Sequence, residues 1–199
     1  MSREIDWHEI RRKVFHIIGG IILSSAIYFD MLRAWMILLI VGFGLIISLI
    51  YSLYDIPFID YFLKRYERPH LRKKFPGKGV IYIFLAAFIM MLIFEKDIVI
   101  AGIMIWTFGD SMSAVVGKHY GRIRHPLNSE RLIEGTIAGI IAGGVAASFF
   151  VHWPYAFIAS TISMSIESLD WRLYRETFDD NLFVPLIGAF VIYLLMLVF

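Results

Sequence analysis

Apolar positions gather into seven long blocks, at residues 14–29, 33–53, 80–94, 98–116, 132–151, 154–169 and 182–199, with short polar connections between them. Blocks of this kind predict helices that cross a bilayer, which takes about 20 predominantly apolar residues. The expected fold class is all-α: a multi-pass transmembrane helical bundle of about seven spans. The connection at residues 54–79, "YDIPFIDYFLKRYERPHLRKKFPGKG", is too long for a simple turn. Within it Ile59, Phe62, Leu63 and Tyr66 recur at i, i+3, i+4 and i+7. That spacing predicts a short amphipathic helix in the interface, within a segment of about 55–78.

Composition agrees with this pattern. The chain is 59% hydrophobic and 18% charged, against about 45–50% and about 25% in soluble domains, and one integral membrane domain over 1–199 is expected. Absence of cysteine excludes disulfides, thiolate zinc sites and thiol nucleophiles. A net charge of +2 is too small to suggest nucleic acid, and the placement of the charge says more. With the N-terminus cytoplasmic, 17 of the 19 Lys and Arg residues fall on the cytoplasmic side, leaving out Arg33 and Lys96. The positive-inside rule therefore selects that orientation. The opening "MSREIDWHEIRRK" is too charged for a cleaved secretory signal, so the first block is expected to be a permanent span.

Ionisable groups inside or at the ends of spans are functional candidates, because hydrocarbon disfavours them. Asp110, Glu134, Glu167 and the run Asp179, Asp180, Asn181 all come out at the cytoplasmic ends of their segments. Lys118, Arg122 and Arg131 lie close to them in sequence. Carboxylates and cations converging on one face suit a magnesium nucleotide and phosphoryl transfer. The basic end of the long connection, Arg72, Lys73, Lys74 and Lys78, is able to hold lipid headgroups or nucleotide phosphates, or simply to fix topology. His16 shares a helix face with Arg12 and Lys13, as a phosphate-facing cluster or as an ordinary basic flank.

Each carboxylate also has a structural alternative: Asp110 as a helix cap or partner of Lys118, Glu167 as a boundary residue, and the Asp-Asp-Asn run as a turn. Ser113, Ala114, Gly117 and Gly121 follow Asp110 at +3, +4, +7 and +11. They offer a small face for a backbone or a phosphate, or the glycines open an anion-binding turn. Gly135, Gly139 and Gly143 repeat every four residues, the pattern of close helix packing within or between subunits. No GxxxxGK[ST], HExxH or GxSxG motif is present.

Taken in order, "RKVFH", "FPGKG", "GDSMSAVVGKHYGR", "IEGTIAG" and "DDNLFVPL" resemble the dolichol kinase and phytol kinase family, over about residues 12–186. The resemblance implies a multi-spanning enzyme that moves phosphate from a nucleoside triphosphate, characteristically CTP, to a lipid alcohol. It implies that Asp110, Gly117, Lys118, Gly121 and Arg122 form the nucleotide-binding stretch, completed by residues 129–135. The family's usual lysine before the acidic residue is missing, and Arg131 or Ser129 stands in its place.

The expected site has Asp110, Glu134 and Asp180 as catalytic acids and Asp110, Glu134 and Asp179 as Mg²⁺ ligands. Lys13, His16, Lys78 and Asn181 are expected to join the nucleotide-binding residues. The expected partners are a membrane-embedded lipid alcohol (polyprenol, phytol-like or diacylglycerol-type) and CTP, at the cytoplasmic face of a prokaryotic cell membrane. The alternatives are a CDP-lipid synthase and a small ion or solute transporter.

Overall fold

The computed structural model describes residues 6–54, 56–67, 72, 74–126, 128–169 and 179–199. All seven apolar blocks form helix. Helix α1 (Trp7–Tyr28) starts at Asp6, whose carboxylate accepts hydrogen bonds from the backbone N–H groups of His8 and Glu9, satisfying donors that a helix start leaves unpaired. After α2 (Ala34–Leu53) comes α3 (Pro57–Tyr66), the amphipathic helix its pattern predicts, opened by Pro57. Gly77, at φ +73°, turns the chain into α4 (Lys78–Ile93). This left-handed backbone suits a residue without a Cβ.

Helix α5 (Lys96–Met104) passes through a π-helical stretch, Ile105–Asp110, into α6 (Ser111–Tyr120). An antiparallel hairpin follows, β1 (Arg124–His125) with β2 (Asn128–Leu132), the one departure from helix among the described elements. It leads to α7 (Ile133–Ala147), α8 (Trp153–Glu167) and α9 (Asp180–Val198).

By length and composition three helices can cross a membrane: α2, the continuous rod Lys96–Tyr120, and α9. Helices α4, α7 and α8 have 16, 15 and 15 residues. At 1.5 Å per residue they rise only about 22–24 Å against a core of about 30 Å. The rod is the centre of the bundle, with Ile98, Val99, Ile100, Ala101, Ile103 and Ile105 all buried. Helices α7, α8 and α9 pack around it, and α4 joins α2 to α9. The outer face of α2 exposes Leu38, Leu39 and Phe43, a surface that fits lipid and not water.

The glycine ladder of α7 seats that helix against the rod within the same chain. A Cβ added to Gly135 would lie 2.6 Å from the Ser113 carbonyl oxygen, and one on Gly139 2.8 Å from that of Gly109. Gly117 meets Gly135 backbone to backbone, so the small face after Asp110 serves helix packing. Gly117 is helical and Gly121 ends the helix in extended backbone, which sets aside the anion-binding turn.

Candidate active site

Helix α1 packs on α5, α6 and α3, while α4 packs on α2, α9 and α5. Between α1 and α4, floored by α9, lies a cavity of about 1740 Å³. One end of it is charged and the rest is apolar.

The charged end is built around Asp110, the last residue of the π-helical stretch. Lys13 Nζ donates to Asp110 Oδ2 at 2.6 Å, and His16 Nε2 stands 3.6 Å from the same oxygen. Side-chain exposure is 3% for Lys13 and 9% for Asp110. Burying an ion pair this deeply is costly and weak as a source of stability, so the pair points to function. The His16 ring sits on Trp106 with centroids 3.8 Å apart, and the Trp106 indole N–H donates to Asn181 Oδ1 at 3.1 Å. Asn181 Nδ2 in turn donates to Asp179 Oδ1 at 2.6 Å, and Lys78 Nζ lies 3.3 Å from Asp179 Oδ2. The chain of contacts thus ties α1, the π-helical stretch, α9 and α4 into one wall.

Local sequence explains the α9 corner. Asp179 is the N-cap and accepts from the Asn181 backbone N–H, so the run starts α9 while all three of its residues line the cavity. Pro185, inside α9, has no N–H to offer the carbonyl of Asn181 four residues earlier. A second ion pair closes the other side. Arg131 Nη2 lies 2.6 Å from Glu167 Oε1 and 3.6 Å from Asp180 Oδ2. The approach to Glu167 is oblique, and neither of its buried oxygens accepts an aligned hydrogen bond. Above all the Glu167 charge, opposed by burial, raises Arg131 further above its already high value, so this cation is permanent.

Ten of the expected site residues line the cavity: Lys13, His16, Lys78, Asp110, Gly117, Lys118, Arg131, Asp179, Asp180 and Asn181. Glu134, Gly121 and Arg122 do not. The Glu134 carboxylate instead accepts from the backbone N–H of Arg122 at 2.8 Å and of Ile123 at 3.1 Å, clasping the chain as it leaves α6. It is drawn there because those donors follow the end of a helix and have no carbonyl of their own to reach. Gly121 is packed against Leu132 and the Gly117 carbonyl, and the Arg122 side chain is exposed. Ser129 lies on β2, and its side chain, like Lys73 as a whole, falls outside the described residues. The partner of Asp110 is Lys13, 97 positions away; Lys118 pairs with Asp6 at 2.5 Å.

Trp106 is indistinguishable in sequence from the other apolar residues of its block, and the π-helical stretch that carries both it and Asp110 leaves no 3.6-residue spacing to mark it. Asn128, buried with Nδ2 donating to the Leu169 carbonyl, was hidden in a loop pattern.

The chain is 22% identical over 227 residues to CTP-dependent diacylglycerol kinase 1 of Schizosaccharomyces pombe, covering 98% of this chain and 100% of that one. To the Saccharomyces cerevisiae protein of the same name it is 26% identical over 209 residues, or 92% and 71% of the two chains. The lipid kinase resemblance is borne out. A phytol kinase of Synechocystis extends it, at 28% identity over 97 residues, 45% of this chain and 41% of that one. An uncharacterized protein of Methanocaldococcus jannaschii is 28% identical over 190 residues, 92% of each chain. No family model and no solved structure matches.

The expected metal ligands are not assembled. Among the described residues no three His, Asp or Glu side chains are grouped to hold an ion. Asp110 is engaged by Lys13, Asp179 by Asn181 and Lys78, and Glu134 by the backbone. These residues do not fit a resident Mg²⁺. Their cations fit the phosphates of a nucleotide.

Proposed function

We propose that the protein transfers the γ-phosphate of CTP to the hydroxyl of a membrane lipid alcohol. The observation that carries this reading is the buried Lys13–Asp110–His16 group at the charged end of a cavity whose remainder is apolar. A lipid alcohol has that polarity, with its hydroxyl at the charged end and its chain along the apolar walls. Similarity to kinases named CTP-dependent diacylglycerol kinase and phytol kinase supports both the reaction and the donor.

In this reading Lys13, Lys78, Arg131 and Lys118 neutralise the phosphate chain, and His16 and Asn181 are positioned through Trp106. Asp110 or Asp180 accepts the hydroxyl proton as the alcohol oxygen bonds to the γ-phosphorus. The bond from that phosphorus to the β–γ bridging oxygen breaks, and CDP leaves. Little else is asked of the protein, since phosphoryl transfer depends on alignment and charge neutralisation. Any Mg²⁺ arrives with the nucleotide as part of the substrate. Seven crossings, a cytoplasmic N-terminus and a site at the cytoplasmic face belong to the same proposal. Arg33 and Lys96 support it: Lys96 meets Asp30 and the Tyr28 carbonyl, at the end of α1 away from Lys13, and Arg33 is the N-cap of α2 beside it.

The test is purified protein in detergent, given labelled CTP or ATP with polyprenol, phytol-type and diacylglycerol acceptors. A labelled lipid monophosphate from CTP, lost in Asp110→Asn, is expected. Release of pyrophosphate with a cytidylylated lipid, or no transfer at all, would overturn the reading.

A further inference from the structure

The charged head occupies only one end of the cavity. A drug-sized site takes about 300–1,000 Å³, and the volume of about 1740 Å³ leaves space for a second substrate beside a nucleotide. Below the head the walls are apolar: Ile22 and Leu23 on α1, Ile83 and Phe84 on α4, Val184 and Ile187 on α9. Because α1 and α4 do not pack closely together, this part opens sideways, where an integral membrane protein meets hydrocarbon.

Two adjacent glycines on α1 face different surroundings. Gly20 is buried, and a Cβ there would collide with the Thr107 side chain on the central rod. Gly19 lines the cavity, and a Cβ there would have no atom within 4 Å. Close packing therefore explains Gly20 and leaves Gly19 without a reason in the protein's own packing. Lys13, His16, Gly19 and Leu23 share the cavity face of α1. Gly19 is six residues, or about 9 Å along the axis, below the lysine that holds Asp110.

We infer that Gly19 is the specificity-determining position for the lipid acceptor: the space left by its missing side chain receives the first part of the acceptor's hydrocarbon, next to the hydroxyl. The occupant is the chain of the lipid alcohol, because the apolar walls continue from the charged head without interruption. This inference rests on the lipid kinase reading. A side chain at Gly19 narrows the groove where a two-chained glycerolipid is widest, and its Cβ meets no atom of the protein within 4 Å.

The experiment compares Gly19→Ala, Gly19→Leu and Gly19→Trp with Gly42→Trp. Gly42 lies on α2, also has open space around it and does not line the cavity. Acceptor KM, CTP KM and thermal midpoint are measured. In parallel, a diazirine-bearing diacylglycerol and a diazirine-bearing prenol in phosphatidylcholine vesicles are photolysed with each variant, and labelled peptides are mapped. The expected result is an acceptor KM that climbs with side-chain size to at least about tenfold, at unchanged CTP KM and midpoint. Labelling of the α1 and α4 peptides is lost in Gly19→Trp and retained in Gly42→Trp.

Equal acceptor KM and equal labelling in Gly19→Trp and Gly42→Trp would overturn the inference while leaving the kinase reading intact. A wild-type protein that transfers no phosphate, yet loses labelling through Gly19→Leu and Gly19→Trp, would overturn the kinase reading and keep the groove.

Discussion

Two sets of charged residues lie at the same end of the bundle and are built in opposite ways. At the cavity head, Lys13 and Asp110 are almost wholly buried and come from helices far apart in sequence. At the rim, Glu134 holds the backbone of Arg122 and Ile123, and Lys118 meets Asp6 in an exposed pair. Asp110, Lys118 and Arg122 belong to one stretch of 13 residues, yet only its first member has a buried ion pair. The difference teaches that one short stretch can carry a buried ion pair at one end and exposed contacts at the other. Burial of the charge is what separates the two, since an exposed pair contributes little and a buried one is costly to keep.

The largest expected effect is at the head. Asp110→Asn keeps the shape and removes the charge, and should lower the initial rate of lipid phosphorylation by about 10²–10⁴-fold. A rate within tenfold of wild type would dissolve the distinction between head and rim. Next comes the packing that joins the two regions: Gly139→Leu forces a side chain against the Gly109 carbonyl and should cost about 1–3 kcal/mol or more, read as a lower thermal midpoint in detergent. An unchanged midpoint would mean that α7 does not depend on its glycines.

Glu134→Gln sharpens the comparison from the rim. It should lower the midpoint while leaving transfer within about tenfold of wild type, because the carboxylate grips backbone and not reactants. A loss as large as that of Asp110→Asn would return Glu134 to the catalytic role that the motif suggested.

The smallest effect is at Asp6. The hydrogen bond from Lys118, followed by that from the Glu9 backbone, pulls its carboxyl down to about 2 from an ordinary value near about 3.9. A lowered folded value means that the contribution is complete above the unfolded value and fades as pH falls toward about 2. Asp6→Ala should cost about 1 kcal/mol near neutral pH through the lost cap. The gap from wild type should narrow on acidification in melts across that range. A gap independent of pH would show that the ionised carboxylate is not what caps α1.

Much of this was legible in the chain. The seven apolar blocks became helices because hydrophobic runs bounded by polar residues have few other solutions, and the i, i+3, i+4, i+7 spacing of Ile59, Phe62, Leu63 and Tyr66 became α3. The glycine ladder was read as packing and packs. Partner choice was less legible. Lys118, eight residues from Asp110, is the partner that the structural alternative offers, whereas Lys13 reaches Asp110 from the first helix. Trp106 and Asn128 carry no local signal, because an apolar or loop setting hides a polar contact made in three dimensions.

What the sequence determined by itself was the class of protein, the order of its apolar helices along the chain and the motifs that carry the lipid kinase resemblance, because these follow from composition and local spacing. Tertiary structure alone decided which charges meet. The π-helical stretch at Ile105–Asp110 widens one turn, so faces before and after it no longer follow a 3.6-residue count. The direction of Asp110 therefore could not be extrapolated along the helix. Whether Gly19 faces empty space and Gly20 a neighbour likewise depends on where α5 and α4 settle around α1, and no local rule separates two adjacent glycines.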